Sequence, residues 1–295
     1  MTGIDRVELA YLDQFLGGDS LLFGLVQTGL GYLLLDRRGC CDLSNLYHGQ
    51  GEMPRGRWFS RNALRHRAQS WVRRRAIVRR PAPMIAGLLR KLPDPCTYWN
   101  VGHSNLGADT LARMVGLKVV VLIHDTIPLD HPQYCRPDQI VPFAHKIAAV
   151  ARYADWVIHI SQDARTKTEL HFAKHGRVPQ GVTAHLGVTG VAPRPMPQTG
   201  PYFVALGTIE PRKNHALLFD IWETQPDLPQ LHVIGAKGWA APAVFAQMDR
   251  LIACIQFEIN PFRQEILDEE GLRRQGRRVQ IGIDRHAPLA ARGRA

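Results

Sequence analysis

The sequence predicts an α/β protein in which helices cover both faces of parallel sheets. Three observations favour this class. Short apolar segments alternate with segments of helical period, and 45% of the residues are hydrophobic, which is ample for globular cores. The length of 295 residues also fits two domains of roughly 150 residues each. Such alternation is typical of βαβ units, because parallel strands need helical crossovers.

The first two thirds of the chain contain six candidate strands and four candidate helices. Apolar runs bounded by polar residues, Gly or Pro predict strands at 21–27, 32–36, 97–101, 118–123, 156–160 and 183–186. Apolar residues at spacings of three and four predict helices at 4–16, 106–115, 139–153 and 163–175.

The stretch GVAPRPMPQTGP, residues 190–201, interrupts this pattern, because its four prolines and flanking glycines exclude a helix or a central strand. Beyond it a strand is predicted at 202–206, a helix near 214–222, a strand at 231–234 and a helix near 244–255. We therefore expect a first domain over 1–190, a linker at 191–201 and a second domain over 202–295. From about residue 240 the tail is atypical, and we predict an amphipathic helix followed by an arginine-rich, poorly ordered end.

The segment ALGTIEPRKNHALL, residues 205–218, places two cations between a predicted buried strand and a helix. In a doubly wound sheet, ligands bind at the carboxyl ends of the strands, where Gly207 begins this turn. Asn214 is a plausible N-cap, and a helix N-terminus favours anions. Arg212 and Lys213 strengthen that preference, so a diphosphate fits this position. The alternative is that both are solvated loop cations.

This segment resembles the donor-binding signature of glycosyltransferase family 4, retaining enzymes of the GT-B architecture with two facing Rossmann-like domains. TGIDRVELAYL (2–12) is similar to the glycine-bearing loop and first helix of the family's acceptor domain. VVVLIHDTIPLDHP (119–132) resembles the strand and turn where the family keeps a histidine near the transferred sugar. ADWVIHISQDART (154–166) is similar to the last strand and helix of that domain. The resemblance covers most of residues 2–240 and is nearest to bacterial mannosyltransferase-like enzymes of surface-polysaccharide assembly.

The resemblance implies three sets of site residues: catalytic His124 and Asp125, the donor-diphosphate residues Gly207, Arg212, Lys213 and Asn214, and an acceptor-side loop with Gly3 and Arg6. From the residues alone, His124 either ends a strand and reaches a cleft or is a core histidine with a satisfied hydrogen bond. His171 and His175, spaced i, i+4, are better explained by a surface helix than by a metal site.

The implied reaction is the retaining transfer of a hexose, with mannose from GDP-mannose favoured over a UDP-sugar, to a lipid-linked or growing polysaccharide acceptor. No DxD pattern is present, so the resemblance implies a metal-independent site without a cofactor. The family also has a strand before the glycine loop and, after residue 240, two glutamates separated by seven residues. Glu258, Glu265, Glu269 and Glu270 do not reproduce that spacing. We therefore expect a truncated chain with an incomplete second domain, and a catalytically inactive fragment is the alternative.

The net charge of +11 is concentrated in residues 55–80, where ten arginines are interleaved with Trp58, Phe59 and Trp71. Such a segment suits an anionic membrane surface or a solvated helix face. A nucleic-acid partner is not expected, because no helix-turn-helix, zinc or RNP pattern accompanies it. A basic binding protein for membrane or nucleic acid is thus a third class of function. The five cysteines include no CxxC pair, and the sequence has no leader-like segment and no run of about 20 apolar residues. These features predict a cytoplasmic protein, peripheral on the inner face of the membrane.

Overall fold

The computed structural model describes residues 3–50, 63–188, 200–225, 227–251 and 255–258. The predicted α/β class is confirmed, because helices alternate with strands and two of the three sheets are parallel. The chain divides into two compact units, a first unit Thr2–Thr189 and a second unit Gly190–Ala295.

The first unit opens with a helix and a small antiparallel sheet. Its elements are α1 (Gly3–Gly17), β1 (Gly24–Thr28), β2 (Gly31–Leu35), α2 (Arg37–Tyr47), α3 (Ala63–Arg75) and β3 (Val78–Arg80), with strand order β1-β2-β3. The prediction that 21–27 and 32–36 join a parallel sheet is wrong. Only Gly29 and Leu30 separate the two strands, which is enough for an antiparallel hairpin but not for a parallel crossover.

A four-stranded parallel sheet follows in the same unit, in the order β4-β5-β6-β7. Its elements are α4 (Ile85–Leu89), β4 (Thr97–Asn100), α5 (Ala108–Leu111), β5 (Lys118–Ile123), α6 (Ile127–Asp130), α7 (Pro137–Tyr153), β6 (Trp156–His159), α8 (Gln162–Ala173) and β7 (Gln180–Thr183). The helix predicted at 106–115 is shorter, and the strand predicted at 183–186 lies three residues earlier.

Helices cover both faces of this parallel sheet. On one face Val7 and Tyr11 of α1 pack against Val120 and Leu122. The opposite face packs against α7 and α8 in a larger core that includes Phe172. The N-terminal half of α1 stands at the carboxyl edge of the sheet, because the Glu8 carboxylate lies against Gly102, just beyond the end of β4.

The second unit contains a three-stranded parallel sheet in the order β10-β9-β8. Its elements are β8 (Tyr202–Leu206), α9 (His215–Thr224), β9 (Gln230–Ile234), α10 (Pro242–Arg250) and β10 (Ile255–Glu258). β8 was predicted to be buried, but among the described residues it has one neighbouring strand, β9, and Phe203 and Val204 are exposed. The helix predicted near 244–255 ends at Arg250, and β10 continues the alternation of helices and strands as far as 258. The other glutamates of the tail and its arginine-rich end lie outside the described residues.

The basic stretch at 55–80 is described only from residue 63. Trp71 is buried in the core beneath the antiparallel sheet. The Arg75 guanidinium carbon lies 3.5 Å from the Trp71 ring centroid, and its Nε is 2.7 Å from the Asp42 carboxylate. Trp71 is therefore a core residue and is not placed to enter a membrane. Trp58 and Phe59 lie outside the described residues. Within the described ranges, no helix is both long and apolar enough to cross a bilayer.

Candidate functional site

The predicted anion-binding turn connects β8 to α9. The chain leaves β8 at Gly207, whose φ of 144° favours glycine, and passes through a 3-10 turn at Pro211–Lys213. Asn214 occupies the N-cap position of α9, as predicted, but its side chain makes no capping hydrogen bond. The reason is its left-handed backbone, with φ 48° and ψ 47°, whereas a capping side chain needs an extended residue.

Glycines let this turn pack backbone to backbone against the loop that follows β9. The Gly207 amide donates to the Ile234 carbonyl at 2.8 Å, and the Ile209 amide donates to the Ala236 carbonyl at 3.0 Å. A Cβ at Gly235 would overlap the Gly207 carbonyl group. The two strand ends therefore continue as paired loops. In the sequence, a glycine directly follows each of these two strands. This pattern indicates the contact but was not part of the sequence-based prediction.

The two predicted cations of the turn have different surroundings. The Lys213 side chain folds back over Gly207, with Cε 3.6 Å and Nζ 3.9 Å from the position that a Cβ would take there. The Arg212 guanidinium Nη2 lies 2.6 Å from Glu210 Oε1, and the two side chains are 43% and 13% exposed. Lys213 is thus already placed at the glycine, while Arg212 is paired with an acid from the same turn.

The first residue of α9, His215, adds a buried imidazole beside this turn. Its Nδ1 is enclosed and has no hydrogen-bond partner in the part of the chain that the structure describes. Burial, and then the charge of Lys213, lower the pKa of His215 from its ordinary value. The imidazole is therefore neutral near pH 7, and the net formal charge of Glu210, Arg212 and Lys213 remains +1. The turn can accept an anion at Gly207 and Lys213, next to the N-terminus of a ten-residue helix.

In the first unit, His124 follows β5 and is buried. Its Nε2 lies 2.9 Å from the Val101 carbonyl oxygen. A carbonyl only accepts hydrogen bonds, so Nε2 carries the proton and Nδ1 is left as an acceptor. The ring is enclosed with a satisfied hydrogen bond, and it stands at the carboxyl edge of the sheet.

A second histidine, which the sequence analysis missed, mirrors this contact. His103 Nε2 lies 3.0 Å from the Leu122 carbonyl oxygen, and the His103 and His124 ring centroids are 5.1 Å apart. The His124 amide also approaches His103 Nε2 at 3.4 Å, but a nitrogen that donates to Leu122 has no lone pair for it. Burial, and then His124, lower the pKa of His103 to about 4. His103 thus bonds β5, which precedes His124, and His124 bonds Val101, the residue that follows β4.

Asp125 is exposed, and its Oδ1 accepts a hydrogen bond from the Ile127 amide at 3.2 Å, which begins α6. The neighbouring acid Asp130 is more enclosed. Its carboxylate accepts from Thr126 Oγ1 at 2.6 Å and lies 2.7 Å from His171 Nε2. Burial opposes ionisation of Asp130, but these hydrogen bonds outweigh it and hold its pKa below the ordinary value.

The contact with Asp130 corrects the view of His171 as a surface residue, because His171 joins α8 to α6. No group of three or more His, Cys, Asp or Glu in the described ranges is placed to hold a metal ion. The predicted acceptor-side residues Gly3 and Arg6 are both exposed in the first two turns of α1. The predicted catalytic residues and acceptor-side residues thus lie in the first unit, and the predicted diphosphate residues lie in the second.

No family model and no curated protein matches this sequence. The solved structures that are similar to the chain include HepE and TarM. HepE (Alr3699) of Anabaena, in complex with UDP, is 16% identical with a TM-score of 0.41 over 61% of this chain and 52% of HepE. A variant of S. aureus TarM, in complex with fondaparinux, α-GlcNAc-glycerol and UDP, is 14% identical with a TM-score of 0.38 over 59% of this chain and 36% of TarM. The chain spans about half the length of HepE and about a third of the length of TarM.

Proposed function

We propose that this chain is a glycosyltransferase of the GT-B architecture and that its second unit holds the diphosphate of a nucleotide sugar at residues 207–214. The observation that carries the proposal is the position of the Lys213 amine over Gly207, beside the N-terminus of α9. The resemblance of 205–218 to a donor-binding signature supports the same assignment.

A diphosphate fits this turn for three physical reasons. Gly207 has no Cβ, so a phosphate can approach its backbone closely. The first turn of α9 offers free N–H groups and the positive end of a helix dipole. Lys213 supplies a positive charge within about 4 Å of the same position, and Arg212 supplies a second when it exchanges Glu210 for phosphate. At an effective dielectric of 20, one such contact at 4 Å amounts to roughly 4 kcal/mol before desolvation.

The proposed reaction is the retaining transfer of a hexose to a lipid-linked or growing polysaccharide acceptor. The departing diphosphate, stabilised by Arg212 and Lys213, helps to deprotonate the incoming hydroxyl on the same face of the sugar. His124 offers its Nδ1 as an acceptor for a sugar hydroxyl, because Nε2–H is held by Val101. In this proposal no metal ion takes part, and the donor is GDP-mannose rather than a UDP-sugar.

Calorimetric titration with GDP and UDP tests the diphosphate site. We expect the wild-type chain to bind a nucleoside diphosphate and the Arg212→Ala, Lys213→Ala double variant to bind it about a hundredfold more weakly, since each charged contact contributes about 1.5 kcal/mol or more. The matched control is Arg38→Ala, Lys174→Ala, which removes two exposed cations of the first unit and should leave binding unchanged. Equal affinity of the double variant and the wild type would refute the site.

A second assay separates an active enzyme from an inactive fragment. The chain is incubated with GDP-mannose or UDP-glucose, and release of the nucleoside diphosphate is followed with and without a glycan acceptor. Release that depends on Lys213 supports a transferase. Binding of GDP or UDP without release supports an inactive fragment that retains the diphosphate site.

A further inference from the structure

An open cavity of about 500 Å³ lies at the amino edge of the parallel sheet in the first unit. The segments 92–94 and 112–117, which precede β4 and β5, form much of its wall, together with α4. This edge is opposite to the carboxyl edge that carries His103 and His124. The apolar side chains of Leu89, Leu92 and Leu117 line part of the cavity.

Two arginines, Arg90 and Arg113, line this cavity, and Arg80 lies beside Arg90. Arg90 Nη2 and Arg80 Nε lie 3.4 Å and 3.9 Å from the point that a Cβ would occupy at Gly87, so their guanidinium groups converge over this glycine. Arg113 lines the cavity and donates through Nη1 to the Ala82 carbonyl at 3.2 Å. Arg80 also donates to the Arg79 carbonyl at 2.8 Å. Backbone carbonyls do not neutralise the charge of a guanidinium group. Among the described residues, no carboxylate is ion-paired with Arg80, Arg90 or Arg113.

Exposed apolar side chains border the same arginines. Val115 is 87% exposed and lines the cavity. Met84 is 55% exposed and lies two residues after Ala82, whose carbonyl accepts the hydrogen bond from Arg113. Leu30, at the tip of the β1–β2 hairpin, is 72% exposed, and the adjacent Gly31 packs against the backbone of Pro81 and Ala82.

We propose that these six residues, Leu30, Arg80, Met84, Arg90, Arg113 and Val115, form a docking surface for an anionic lipid membrane. We call it the amino-edge surface. Apolar side chains beside cations without acidic partners suit the boundary between headgroups and acyl chains, where apolar tips enter and arginines meet phosphates. Among the described residues that line the cavity, Asp94 is the one acid, and the three arginines outnumber it.

The amino-edge surface differs from the membrane contact predicted at 55–80. In the described part of that stretch, Trp71 is in the core and Arg75 is paired with Asp42. Arg80, at the end of the stretch, is shared with the amino-edge surface. The inference goes beyond the proposed function and does not depend on it, because none of the six residues lies in the second unit.

Flotation of the purified chain with lipid vesicles tests the proposal. One set of vesicles contains 30% phosphatidylglycerol in phosphatidylcholine, and the other contains phosphatidylcholine alone. We expect binding to the anionic vesicles that falls about a hundredfold in the Arg80→Gln, Arg90→Gln, Arg113→Gln variant, since each surface cation contributes about fivefold. The Leu30→Ser, Met84→Ser, Val115→Ser variant should lose about tenfold through its apolar contacts.

The matched control is Arg38→Gln, Arg136→Gln, Lys174→Gln, which removes three exposed cations elsewhere in the first unit and should bind vesicles within about twofold of the wild type. All six substituted surface positions are outside the core, so far-ultraviolet circular dichroism and calorimetry with the nucleoside diphosphate are expected to match the wild type.

Three results would overturn the proposal. The control variant could lose as much vesicle binding as the arginine variant, which would indicate unspecific charge. Wild-type protein could bind inorganic phosphate through the three arginines while it ignores vesicles, which would indicate a site for a small soluble anion. Duplex DNA could bind through the same arginines in the absence of vesicle binding, which would indicate a nucleic-acid surface.

Discussion

A Gly235→Ala variant is expected to lose about 3 kcal/mol of the free energy of unfolding of the second unit. The added Cβ would overlap the Gly207 carbonyl group, which is backbone and cannot turn away. To make room, the carboxyl ends of β8 and β9 must separate, which weakens the hydrogen bonds from the Gly207 and Ile209 amides to the loop after β9. The same movement displaces Gly207 from Lys213, so binding of a nucleoside diphosphate should fall as well.

Hydrogen–deuterium exchange of residues 202–234 measures this loss, because these residues include β8, α9 and β9. Gly107→Ala is the control, since a Cβ there meets nothing within 4 Å and the backbone has an ordinary φ of −71°. We expect the control to change stability by less than about 0.5 kcal/mol. Wild-type exchange in Gly235→Ala would contradict the close approach of the two strand ends.

Acidification from pH 7 to pH 5 is expected to lower the unfolding free energy of the first unit by about 2 kcal/mol through His159 alone. His159 ends β6 and is 0% exposed, and neither ring nitrogen has a hydrogen-bond partner among the described residues. Burial lowers its pKa to about 4; the Glu169 carboxylate opposes this shift, and Arg165 adds to it.

The direction of this pH effect follows from proton binding. In the unfolded chain the pKa of His159 returns to about 6.5, so between pH 6.5 and pH 4 the unfolded state binds more protons than the folded state. The stabilisation is therefore complete above pH 6.5 and is lost as the pH falls towards 4. The low pKa of His103 adds a loss in the same direction.

Urea unfolding at pH 7 and pH 5 checks the size of the effect, and His159→Leu isolates it. Leucine has similar volume and no titratable group, and no hydrogen bond is lost, because the imidazole makes none. We expect His159→Leu to unfold like the wild type at pH 7 and to be about 2 kcal/mol less sensitive to the change to pH 5. A full wild-type pH dependence in this variant would show that His159 is not buried in its neutral form.

The sequence predicts elements best where one strong local signal decides. β5 has the predicted bounds because its apolar run is closed by Gly116 before it and by a polar segment after it. The hairpin of β1 and β2 was assigned to the wrong kind of sheet, because the apolar runs fit either pairing and only the short turn decides between them. The apolar residues of β8 predicted a buried strand. That prediction failed because the periodicity of a sequence does not show on which side of a strand its neighbouring strand lies.

In the candidate site, too, the sequence predicted the local features and missed the contacts between separate segments. Gly207, Arg212 and Lys213 were predicted because they are adjacent in the sequence and follow a strand. The pairing of Arg212 with Glu210 was not foreseen, because either a phosphate or the acid two residues earlier can hold that guanidinium. His103 and Gly235 were missed because each acts through the backbone of a neighbouring strand, and such partners become visible only when the strand order is known.

The most direct test of the diphosphate site is a crystal structure of this chain with GDP or UDP. The proposal predicts that the terminal phosphate lies against Gly207, with an oxygen within about 3.5 Å of Lys213 Nζ, and that Arg212 has turned from Glu210 to the same phosphate. A nucleotide bound at another place, such as Arg80 and Arg90, with residues 207–214 empty and Arg212 still on Glu210, would contradict it.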